Sequence, residues 1–197
     1  FENASLEYPE YDQLLAHVVQ ESKNVVLSSY FRSQEKGPAD AQLEDLDVFH
    51  FPQVAELALN GSELHVPLAA LVQGAGGVGH ANISGERDLP LFVAYGNGIV
   101  PSFGLELLRM FCGADRAGVS FSRRDAFGNR STLSLKRNGT LLEISTTERA
   151  EVQLNFPGRI SSFTLYPFLE VLKSYDALIA GRMPTIPVQN LKNKIVL

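Results

Sequence analysis

Four histidines, one cysteine and a run of glycines are the residues whose types could do chemistry in this chain. His17, His50, His65 and His80 are scattered, and no two share the spacing that puts ligands on one face of a helix. Cys112 has no partner for an internal disulfide or a cysteine-rich zinc site, and its apolar segment reads it as a small buried hydrophobe. No G-x-S-x-G elbow, H-E-x-x-H pair or P-loop is present. Gly74-Ala75-Gly76-Gly77-Val78-Gly79 spells G-x-G-x-x-G. That fingerprint holds a dinucleotide only where it leaves a strand and opens a helix, so that phosphate meets the helix N-terminus. Here residues 67–73 read as a short helix before the glycines, and the chain after Val78 reads as extended. Gly74 is therefore a helix C-terminal cap. The residues call for no cofactor and no metal.

The polar stretches are blander. Residues 32–50, with Gly37-Pro38 and the acids Glu44, Asp45 and Asp47, lack the Asp/Gly spacing of a calcium loop and read as a solvated loop pinned by Phe49 and Phe51. Arg123, Arg124, Lys136 and Arg137 read as a solvated basic face. Five Asn-x-Ser/Thr triplets begin at Asn3, Asn60, Asn82, Asn129 and Asn138. They accept glycans only in a eukaryotic secretory pathway and read as loop composition. A net charge of -5 gives no field for a polyphosphate, so nucleic acid is excluded as a partner. No apolar run approaches the roughly 20 residues that span a bilayer.

The elements that must position these groups follow from periodicity. With 197 residues, 45% of them apolar, the chain can bury one sizeable core. Tyr11, Leu14, Leu15, Val18 and Val19 form one stripe of a helix over 9–23. Residues 25–31 then read as a strand. Further helices are expected over 67–73, 102–112 and 165–179, with Phe168, Leu169, Leu172 and Tyr175 on one side of the last. Ser102 is a natural N-cap and Gly113 ends that helix. Residues 89–95 read as a strand, and Gly96-Asn97-Gly98 turns the chain. Over 119–156 the apolar residues alternate, with Asn138-Gly139 as a hairpin turn, residues 125–129 as an earlier turn, and Val152, Leu154 and Phe156 as another strand. Pro157-Gly158 forms the next turn, and residues 194–197 read as a last apolar strand. The fold class expected is α/β: a single mixed-sheet domain over 1–197, with helices packed on the sheet and an antiparallel hairpin region.

The order of segments resembles the CHASE-two domain, the second class of cyclase- and histidine-kinase-associated extracytoplasmic sensory domains. Asn24-Val25-Val26-Leu27 is similar to that family's strand segment after an amphipathic helix, and Gly79-His80-Ala81-Asn82 to its glycine-x-x-asparagine strand. Leu89-Pro90-Leu91 through Tyr95-Gly96, then Pro101-Ser102-Phe103-Gly104-Leu105-Glu106-Leu107, resembles its strand, turn and P-S-x-x-x-E helix. Asn155-Phe156-Pro157-Gly158 and residues 191–197 resemble its closing turn and strand. The family has segments on both sides of such a stretch, so the chain is expected to be an interior portion of the domain.

The resemblance implies a place and a role. Such domains lie outside the cytoplasmic membrane of bacteria, between transmembrane helices, in receptors whose output is a nucleotide cyclase, a diguanylate cyclase, or a histidine or serine/threonine kinase. The domain itself is then a sensor and not an enzyme, and its signal is a small molecule or a protein. A pocket is expected where strand ends and helix starts converge. That nominates His80, Asn82, Ser102, Glu106 and Arg109 as ligand contacts. Each has a competing structural role: a satisfied core histidine, a strand hydrogen bond, a helix cap, a solvent-facing carboxylate and a surface cation. Two rival functions stand beside the sensor. One is a ligand-free interaction module that forms a homodimer or meets a partner protein. The other is a soluble α/β enzyme using residues 74–79 for a dinucleotide.

Overall fold

The computed structural model describes residues 9–33, 58–84, 86–96, 98–123, 131–137, 139–155, 158 and 163–196. The expectations for residues 34–50, Arg124, residues 125–129, Asn138, Phe156 and Pro157 lie outside the described residues. By contacts the chain divides into two compact units, residues 1–154 and 155–197.

In the first unit, helix α1 (Pro9–Ser22) runs into strand β1 (Val26–Ser33). β1 is flanked by β3 (Ser62–His65), antiparallel, and by β4 (Gly77–His80), parallel. The parallel register sets Leu27 against Val78 and Ser29 against His80. Helix α2 (Ala69–Gly74) precedes β4, so the glycine run follows a helix and opens a strand. That is the reverse of a dinucleotide fingerprint.

Residues 88–101 pass between sheets. β5 (Asp88–Pro90) pairs with β11 (Glu151–Gln153), whereas β6 (Phe92–Tyr95) pairs with β7 (Gly98–Pro101) and, in parallel, with β2 (Leu59–Asn60). The single strand expected over 89–95 is thus two strands hinged at Leu91. Pro90 has no N–H to extend the ladder. The Leu91 N–H donates to Ala150 O at 2.9 Å, and its carbonyl accepts from Ser102 N at 2.8 Å. Val152 belongs to β11 and so pairs with β5, not with the hairpin sheet. That sheet is β8 (Val119–Ser122), β9 (Ser131–Arg137) and β10 (Thr140–Thr146), all antiparallel, with Arg137 opposite Thr140 at the expected turn.

The architecture is α/β as expected, but among the described residues the strands form four small sheets where a single central sheet was expected. The β6–β7 hairpin is the wall between two cores. Phe92 and Ile99 enter one with Leu91, Leu105, Val119, Leu133 and Leu135. Val93, Tyr95 and Val100 enter the other with Phe31, Leu64, Val72 and Val78. Burial on both faces explains the unbroken apolar run of these two strands.

Helix α3 (Phe103–Cys112) starts at Ser102 and ends at Gly113, whose φ of 61° is left-handed. Its boundaries follow the cap residues. Arg137, expected to be solvated, remains exposed but donates from Nη1 to Cys112 O at 2.8 Å, closing an orphan carbonyl of the helix end.

Apolar stripes are less buried than periodicity implies. Among the described side chains of α1 only Val19 is buried, while Leu14, Leu15 and Val18 are exposed. The helix leans on α2, where Gly74 approaches Ala16 O and Gln20. A six-residue helix about 9 Å long covers one side of a fourteen-residue one and no more.

The second unit holds helix α4 (Phe168–Ile179) and a 3-10 turn at Val188–Asn190. Ser174 Oγ accepts from Ile186 N at 3.0 Å. Phe168, Leu169, Leu172 and Tyr175 are exposed, because 43 residues are too few to enclose a core of their own. Residues 194–196, expected as a strand, form none; residues 191–193 turn instead, with Asn193 at φ 58°.

Candidate functional site

β4 and α3 approach each other more closely than any strand and helix with side chains between them can. A Cβ on Gly79 would sit 2.6 Å from the main chain of Phe103, and one on Gly77 would collide with Glu106 Oε2. Two glycines at period two on one strand therefore open a groove, and the first turns of α3 lie in it.

The face of α3 in that groove is charged. Glu106 is 0% exposed and Arg109 9%. Arg109 Nη2 donates to Glu106 Oε2 at 2.7 Å, and Nε lies 3.2 Å from both carboxylate oxygens. The rest of the guanidinium is used as well. Nη1 donates to Ala114 O and Nη2 to Gly76 O, both at 3.0 Å. One planar fork thus ties α3 to the start of β4 and to the turn after its own last residue. Arg116 adds a second cation, with Nη2 3.6 Å from Glu106 Oε2. Burial pushes the Glu106 carboxyl above its usual range, and the hydrogen bond and charge of Arg109 oppose that shift. The expected solvent-facing carboxylate and surface cation are in fact a buried ion pair. Periodicity misses this because a helix dipole and an i,i+3 partner let charge occupy an inward face.

The other three candidates lie along the same seam and point to different places. Ser102 Oγ accepts from Leu105 N at 3.2 Å, the cap geometry. Asn82 brackets the main chain of Phe31: its Nδ2 donates to Phe31 O and its Oδ1 accepts from Phe31 N, each at 2.8 Å. The amide thereby continues the β4 side of the ladder by one step. His80 forms an isolated parallel bridge with Ser102 and is 0% exposed. Its ring lies 6.1 Å from that of Phe31, and neither nitrogen has a hydrogen-bond partner. Ser29, its neighbour on β1, is also buried with Oγ unpartnered. Burial alone pulls the His80 imidazole down to about 4.

Two clefts, of about 310 and 380 Å3, lie on the hairpin sheet, and none of the five candidates lines them. Among the described residues no group of three or more His, Cys, Asp or Glu side chains could hold a metal ion, and no helix is long and apolar enough to cross a membrane. Sequence reasoning missed Gly77, Arg116 and Ser29. Glycines at alternate strand positions were the readable signal for the first; the other two become visible only once the chain is folded.

A helix laid on a glycine-cleared strand and clamped there by a buried guanidinium defines the seam of this α/β domain. The family model of the CHASE2 domain matches residues 1–197, the whole chain. The chain belongs to that family, an extracellular sensory domain of signalling receptors. No curated protein matches it, and no solved structure matches it.

Proposed function

We propose that this chain is the ligand-sensing extracytoplasmic domain of a bacterial transmembrane receptor whose output is a nucleotide cyclase, a diguanylate cyclase, or a histidine or serine/threonine kinase. The whole-chain family match carries the reading. The seam supplies a means. His80, Asn82, Ser102, Glu106 and Arg109 connect β1, β4 and α3. A ligand that contacts them better in one arrangement shifts the population by that difference in affinity. The message is displacement of the segments that feed the membrane helices.

The test has two parts. The coding sequence on both sides of this chain is expected to encode bilayer-crossing helices and a cytoplasmic output domain. The intact receptor's output is then measured against a panel of small metabolites, with thermal shift as the binding readout. A free-standing cytosolic product without such helices refutes the proposal. A second reading, a ligand-free dimerisation module, draws support from the exposed Leu14, Leu15 and Val18 on α1. Sedimentation that depends on concentration, with no metabolite shifting the melting temperature, selects it.

A further inference from the structure

We propose that His80 is a proton-responsive element, so that one signal this domain takes is the acidity of the medium outside the membrane. The inference rests on the sensor reading for where the domain meets the proton, and on His80's surroundings for the response.

Those surroundings are unusual for a buried imidazole. A neutral histidine in a protein interior ordinarily gives its N–H to one partner and takes a hydrogen from another. His80 does neither, although it is fully buried. It lies on the same face of β4 as Val78, over the core that holds Phe31, Leu64, Val93, Tyr95 and Val100. On β1, Ser29 and Phe31 share this face, and Tyr30 and Arg32 take the other. On β3, Leu64 enters the core, while His65 stacks on Tyr30 and Glu63 is exposed. From β6 comes the Tyr95 phenol, its ring 5.5 Å from that of Phe31. β7 contributes no titratable side chain. Glu106 and Arg109 on α3 meet the opposite side of β4, at Gly77, and are committed to each other. Among the described residues no carboxylate is placed to balance an imidazolium.

The charged form is therefore penalised by burial with nothing to offset it, which holds the ring at about 4 against an ordinary 6.5. That gap makes an arrangement in which His80 reaches water bind the proton roughly 300-fold better than the closed one. Below pH 6.5 the open population rises by roughly five- to sevenfold per pH unit, and the rise levels off near the folded value. Opening at this residue reaches α3 directly. His80 bridges Ser102, the cap of that helix, and the next N–H, that of Ala81, is bonded to Ser29 O at 2.8 Å.

Hydrogen exchange followed by mass spectrometry on the intact protein, corrected for the intrinsic pH dependence of exchange, reads this opening. Between pH 6.5 and 4.5 the peptides covering residues 77–82 and 102–112 are expected to gain exchange about 40-fold, with residues 131–146 unchanged. His80→Leu and, as a second apolar filler, His80→Phe are expected to abolish the gain. His17→Gln, at an exposed histidine paired with Glu21, keeps it in full. An NMR titration of the His80 ring in the folded protein is expected to place it near 4. The proposal is overturned if both apolar variants still open in acid, or if the folded ring titrates near 6.5. If acid changes nothing at the seam while a metabolite still drives the receptor, the proton inference alone has failed. If neither moves the output but His80 titrates as stated, the sensor reading has failed instead.

Discussion

Replacing Arg109 by methionine is the sharpest test of the seam, because one side chain bonds both the buried Glu106 carboxylate and the Gly76 carbonyl that precedes β4. The substitution keeps the aliphatic stem and removes the fork. A carboxylate with 0% exposure and the carbonyls of Gly76 and Ala114 lose their donors. Breaking a buried pair from one side typically costs about 3–5 kcal/mol. Arg116, 3.6 Å from Glu106 Oε2, still offsets part of the charge, so the loss should fall near the lower bound, about 3 kcal/mol. In urea the midpoint should drop by about 1.5 M, at a slope of about 2 kcal/mol per M. The penalty should also depend on pH. Without Arg109 the Glu106 carboxyl keeps the upward push of burial and loses its main opposition. A group whose folded pKa is raised contributes stability that is complete below its unfolded value, about 4.3, and is lost as pH rises through the folded value. The difference between variant and wild type should therefore be smallest near pH 4 and grow toward neutrality. His80 titrates in both proteins and cancels from that difference. Adding Glu106→Leu to Arg109→Met should return most of the stability, since an apolar pair of similar volume needs no partner. A single variant that loses less than about 1 kcal/mol would refute the view that this pair clamps the helix.

Three further substitutions probe the same elements by urea unfolding. Gly79→Ala drives a Cβ to 2.6–2.7 Å from main-chain atoms of Ser102 and Phe103, which cannot swing aside, and should cost about 1–3 kcal/mol or more. Gly104→Ala, on the exposed side of α3 with its nearest neighbour at 3.5 Å, should stabilise by about 1 kcal/mol; a loss there would show that the helix does not sit as described. Asn82→Ala removes both bonds to Phe31 and should cost about 1–3 kcal/mol, with the Phe31 amide losing exchange protection. An unchanged Phe31 amide would count against the bracket.

The elements that obey local rules were readable from the chain alone. Ser102 and Gly113 bound α3 because capping is chemistry between near neighbours, and the apolar residues of 89–95 marked a strand, though neither its break at Leu91 nor the strand β7 that follows the turn. The glycine run could be denied a dinucleotide because its neighbours had the wrong secondary structure. The order of short motifs led to the family, which the whole-chain match shows. Pairing partners were not readable. Val152 joins β5 and not the nearby hairpin, since strand choice depends on which edge is free in space.

Burial of charge also lay beyond the chain's pattern. Glu106 and Arg109 sit one helical turn apart on what hydrophobicity calls a polar face, and only the groove cleared by Gly77 and Gly79 makes that face the inner one. Leu14, Leu15 and Val18 show the converse: periodicity gave the helix, while exposure depended on how little of it α2 can cover. The sequence by itself determined the helices, the caps of α3, the hairpin between β9 and β10 and the family, because each is set by residues within a few positions or by their order; Gly74, read as a helix cap, is instead the last residue of α2, with Ala75 as the cap. The tertiary structure alone decided which groups are withdrawn from water, because solvation depends on neighbours remote in the chain. His80 is an unremarkable letter in a strand until Ser29, Phe31 and Ser102 close around it.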